Sequence, residues 1–176
     1  MSEEHPANRR IDRIRDPSFL DGIGELSLDD VRARRDECMA EREYLSLLRR
    51  LVQGRAEILK AELAGRGSDD QRPLVDRLSE ILASDQPATS RGEAMRVTLP
   101  EEEMLLARRR IERLVADAGI SDPAELDDGQ LEDAVEVLAT EEREVSAQRA
   151  DVLRVLDTLQ DELKRRFKED PTLALS

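Results

Sequence analysis

Arg42, Ser46, Arg49, Gln53 and Glu57 stand at relative positions 0, 4, 7, 11 and 15, and Glu142, Ser146, Arg149, Leu153 and Asp157 repeat that spacing one hundred residues later. Guanidinium forks, carboxylates and short hydrogen-bonding side chains at helical intervals are suited to holding a polar ligand rather than to making or breaking bonds. The same shift lays Glu41, Val52, Leu59, Glu62 and Leu63 on identical residues at 141, 152, 159, 162 and 163, giving seven identities across positions 34–63 and 134–163. Glu57 opposite Asp157 and Leu45 opposite Val145 are conservative besides. Two copies of one polar stripe suit a two-fold symmetric or dimeric ligand.

The rest of the chain removes several chemistries. Cys38 is the only cysteine and His5 the only histidine, so no intramolecular disulfide or CxxC zinc site can form. Nucleophilic machinery of the Ser–His or Cys–His kind would need His5, which lies in a polar N-terminal arm. An enzyme is therefore not expected. A net charge of −13 argues against direct nucleic-acid binding, which needs a basic face, and suits a basic partner instead. No apolar run approaches the roughly 20 residues that cross a bilayer, and MSEEHPANRR lacks a signal-peptide core, so a cytoplasmic protein with no membrane association is expected.

What must position the stripes is helix. Charged residues make up 39% of the chain, aromatics 2%, and Trp is absent, a composition of thin helix-on-helix packing rather than of a thick core. Residues 1–15 read as a polar tail, and 16–67 as a turn-rich contact segment leading into a long helix. Ser27 with Asp30 resembles a capping box, and Gly65 with Gly67 reads as a stop. Gly54 either weakens the middle of this helix or admits a close neighbour. Residues 68–127 form a helical connector: a short helix from Pro73 with apolar face Leu74, Leu78, Ile81 and Leu82, a linker near 84–98, and a helix from Pro100 to about Gly119. Asp122, Pro123 and Glu125 supply a cap, a first helical proline and a capping-box acid. A second long helix follows over 128–168, and 169–176 is a tail able to make at most a small docking contact. Leu45, Leu48, Val52, Ala56, Leu59 and Leu63 share one narrow helical sector, as do Leu138, Val145, Val152, Leu156, Leu159 and Leu163. These are seams, and they predict an all-α protein: an antiparallel two-helix coiled coil with additional short helices.

Beside those seams, the stripe resembles the cyclic di-GMP signature of RsiG-type anti-sigma factors, E-x3-S-x2-R-x3-Q-x3-D, carried once on each of two antiparallel helices. The words YLSLLRRLVQGRAEILKAEL (Tyr44 to Leu63) and DPSFLDGIGELSLDDVRARR (Asp16 to Arg35) are similar to that family too. The first copy keeps Ser46, Arg49 and Gln53, with Arg42 where the family has an acid and Glu57 for Asp. The second keeps Glu142, Ser146, Arg149 and Asp157, with Leu153 for Gln. The resemblance implies an anti-sigma factor that, armed by cyclic di-GMP, holds a flagellar-class sigma factor of the WhiG type away from RNA polymerase.

Guanine chemistry accords with that implication. One edge of the base offers N–H donors that a carboxylate accepts, and another offers O6 and N7 acceptors that fit an Arg fork. Asp157, Glu57 and Glu142 are then the guanine-edge acceptors, Arg49 and Arg149 the guanine or phosphate clamps, and Ser46, Ser146 and Gln53 further hydrogen-bonding groups. Arg42 adds a phosphate contact. The segment holding Phe19, Leu20 and Ile23 serves either as an additional sigma contact or as a local staple. The competing reading of the whole chain is a structural coiled-coil adaptor whose stripes are solvated flanks binding no small molecule.

Overall fold

In the computed structural model, residues 6–67, 99–120 and 122–175 are described, and among them are four α-helices and no strand. Helix α1 spans Pro6–Arg15, α2 Leu28–Arg66, α3 Glu101–Asp117 and α4 Asp128–Glu169. Each long helix starts for a local reason. At α2 the Ser27 Oγ accepts from the Asp30 amide at 3.0 Å and donates to the Asp30 carboxylate at 2.6 Å. At α4 the cap is reciprocal: Asp127 Oδ1 accepts from the Gln130 amide at 2.8 Å, while Gln130 Oε1 accepts from the Asp127 amide at 2.9 Å.

That second cap corrects the sequence expectation. Asp122 caps only a short 3-10 turn, Pro123–Glu125, accepting from the Ala124 amide, because a proline directly after the acid starts its own turn before the chain reaches the long helix. Helix α3 ends as its glycine requires, with Gly119 at φ 68° and the Ile120 amide donating back to the Val115 carbonyl at 2.9 Å. Helix α2 runs unbroken through Gly54, where an added Cβ would meet nothing within 4 Å, so no neighbour approaches there. The short helix expected from Pro73 and the linker near 84–98 fall outside the described residues.

The described residues fall into two compact units, those within 1–46 and 145–176 and those within 47–144. In the first unit, the beginning of α2 lies antiparallel to the end of α4. Arg166 near the end of α4 donates to the Leu26 and Ile23 carbonyls, both at 2.8 Å, just ahead of α2. Buried Val31, Cys38, Leu45, Val152, Leu156, Leu159 and Leu163 fill the space between. In the second unit, the end of α2 lies antiparallel to the beginning of α4, with Arg66 donating to the Leu126 carbonyl at 2.6 Å and the Pro123 carbonyl at 3.0 Å. There Leu48, Val52, Leu59, Leu131 and Leu138 are buried, and Leu63 is half-buried.

Residues 6–15, expected as polar tail, are helix α1. Ile11 and Ile14 are buried, Arg10 pairs with the buried Glu41, and Arg13 pairs with Glu37 of α2. Arg15 reaches Asp151 of α4 at 3.0 Å. The second unit repeats this construction with α3: Ile111 is buried and Arg110 pairs with Glu141 at 2.8 Å. Arg10, Ile11 and Glu41 are thus related to Arg110, Ile111 and Glu141 by the same shift of one hundred that relates Arg66 to Arg166. The repeated element is therefore a short helix clamped by arginine onto a long one, larger than the segment legible in sequence.

Candidate ligand-binding site

Because each stripe runs along a long helix, its members divide between the units, and each unit holds a polar centre of its own. In the second unit Arg49 Nε donates to Glu142 Oε1 at 2.7 Å, and the Gln53 amide donates to the same oxygen at 3.4 Å. One turn further along α2, Glu57 accepts from Lys60 Nζ at 3.0 Å. These side chains, together with Arg143, rim a cavity of about 410 Å³. Its apolar lining is Val52 and Ala56 from α2 and Val135, Leu138 and Ala139 from α4. The volume lies within the range of small-molecule sites, but the lining is more polar than most of them, with charged and amide side chains outnumbering the apolar ones, which suits a polar ligand.

The first unit holds Arg42, Ser46 and Arg149 together. Arg149 Nε donates to Ser46 Oγ at 3.0 Å, and Ser46 Oγ in turn donates to the Arg42 carbonyl at 2.7 Å. The repeat explains the difference from the second unit. The residue equivalent to Glu142 is Arg42, which cannot accept from a guanidinium, so Arg149 uses a hydroxyl and Arg42 turns to Glu43 at 2.7 Å. Ser146 is half-buried and Asp157 exposed on α4.

The sequence reading missed four residues of the cavity: Lys60, Val135, Ala139 and Arg143. Lys60 could have been found by continuing the stripe one turn past Glu57, and Val135 and Ala139 by stepping back two turns and one turn from Glu142. Phe19 is buried and lies under Arg34, whose guanidinium carbon is 5.4 Å from the ring centroid. Leu20 and Ile23 are half-buried.

Arg165 and Arg166 hold the Glu162 carboxyl down at about 2, and through that pair Arg166 is oriented toward the loop ahead of α2. Among the described residues no helix is long and apolar enough to cross a membrane. Residues 17–82 match the family described as RsiG-like, a little over a third of the chain. The matched segment contains the whole first stripe, Arg42 to Glu57, and ends before the second. No curated protein matches the chain.

Proposed function

We propose that the protein is an anti-sigma factor that binds cyclic di-GMP and holds a sigma factor of the flagellar, WhiG-type class away from RNA polymerase. The observation that carries this reading is the cavity rimmed by Arg49, Gln53 and Glu57, on the segment that matches the RsiG-like family, and by Glu142 of the facing helix, outside that segment. A guanine edge donates to the carboxylates, and a phosphate accepts from the arginine. The ion pairs already present exchange partners when this happens, so no charge is left buried alone. The acidic balance of the chain supports a basic partner, as promoter-contacting surfaces are.

Two measurements test the proposal. Calorimetric titration with cyclic di-GMP should give saturable binding. A pull-down with candidate sigma factors should retain one of the flagellar class more strongly when the nucleotide is present. Absence of nucleotide binding together with no sigma retained under either condition would leave the coiled-coil adaptor reading in its place.

A further inference from the structure

The repeat allows the cavity of the second unit to be compared position by position with its counterpart in the first. Ala56, Ala139 and Gln53 correspond to Leu156, Met39 and Leu153. Two methyl-sized side chains and one polar one are thereby replaced by three long apolar ones. Leu156 is 2% exposed, and Met39 and Leu153 are half-buried, so their bulk is packed inward rather than held out in solvent. The rim changes as well: Lys60 corresponds to Gln160, Arg143 to Glu43, and Glu142 to Arg42. At the places of Lys60 and Arg143 the first unit is therefore neutral and acidic, and of the two carboxylates open to a guanine edge only one survives there, Asp157 keeping the place of Glu57 while Glu142 becomes a donor with no acceptor capacity; Arg35 stands where the second unit has the apolar Val135.

We infer that the two copies of the stripe are unequal: a guanine-bearing anionic nucleotide is recognised in the cavity of the second unit alone, with Lys60 and Arg143, both outside the family signature, as additional phosphate contacts. This rests on the nucleotide reading above and narrows it to one class of site. Arg143 now donates to Glu136 at 2.8 Å and to the Thr140 hydroxyl at 3.0 Å, both on its own helix, and Lys60 is held by Glu57. Both cations are exposed, held by exposed or half-buried partners, and can turn to a phosphate at small cost in lost pairing. The first unit keeps Arg149, Ser46 and Arg42 as a hydrogen-bonded structural group.

The test is a calorimetric titration of the full chain with cyclic di-GMP, using Ala56→Leu, which moves the bulk of the first unit into the cavity, and Arg143→Ala, an exposed change that leaves packing alone. Each should weaken the entire isotherm about tenfold or more, as loss of shape or of a charge-assisted hydrogen bond does. Circular dichroism should show unchanged helix in both. Variants that retain half of the wild-type stoichiometry at unaltered affinity would show a second, independent site and overturn the inference while leaving the nucleotide reading intact. A wild-type chain with no saturable binding would instead overturn the nucleotide reading, and the inference with it.

Discussion

Cys38 and Glu162 show how strongly neighbours set the behaviour of single side chains here. The Cys38 thiol is fully buried, and burial, aided by the charges of Glu37 and Glu41, pushes it up to about 12. Since the thiolate is the reactive form, a disulfide reagent at pH 8 should fail to label the folded chain and should label it fully in denaturant. Rapid labelling without denaturant would mean that the start of α2 opens readily. Glu162 is perturbed in the opposite sense: hydrogen bonds from Arg165 and Arg166 hold it at about 2, against an ordinary 4.5. A carboxyl depressed in the folded state stabilises the fold above its unfolded value and loses that contribution as pH falls from about 4.5 toward 2. Glu162→Gln should therefore lower the melting temperature at pH 7, and the difference from wild type should vanish near pH 2. A difference that persists unchanged at pH 2 would assign the effect to packing instead.

At the scale of elements, Gly54 is the clearest opportunity. It lies in the middle of α2, exposed, with open space where a Cβ would sit, so Gly54→Ala should stabilise the protein by about 1 kcal/mol, measured by urea denaturation. Destabilisation would mean that the position contacts something in the folded state. The long helices were legible in sequence because Ser27 and Gly67 bracket the first, although Gly65 stays within it, because Pro171 follows the second, and because the seam residues keep their sector over many turns. Helix α1 was not legible. Among its residues with described side chains, Ile11 and Ile14 are the buried apolar ones, and two apolar residues in so charged a sequence are too little periodicity to separate it from a tail. Its stability depends on Glu37 and Glu41 of α2 accepting Arg13 and Arg10, a tertiary condition. The site divides the same way. Spacing along one helix gave Arg49, Gln53 and Glu57, but the register of the facing helix, which brings Val135, Ala139 and Arg143 to them, is not written in either helix alone.

At the scale of the whole molecule, the net charge of −13 acts on every partner before any contact forms. For a basic partner of the proposed kind it accelerates encounter, and such steering is screened over about 10 Å at 0.1 M salt. Raising sodium chloride from about 0.05 to 0.5 M should therefore slow association with the sigma factor by about tenfold, with a smaller change in dissociation, as read by surface plasmon resonance. An association rate indifferent to salt would exclude charge steering and count against a basic binding surface. The nucleotide adds a second constraint that does not depend on charge. If cyclic di-GMP strengthens sigma binding by some factor, sigma must strengthen nucleotide binding by the same factor, because the two differ only in the order of one thermodynamic cycle. Titrating nucleotide into the chain alone and into the chain saturated with sigma should give that matching ratio, expected at about fivefold or more for a regulatory ligand. A ratio of one would mean that nucleotide and sigma bind independently, and the second messenger would then have no means of controlling the partner.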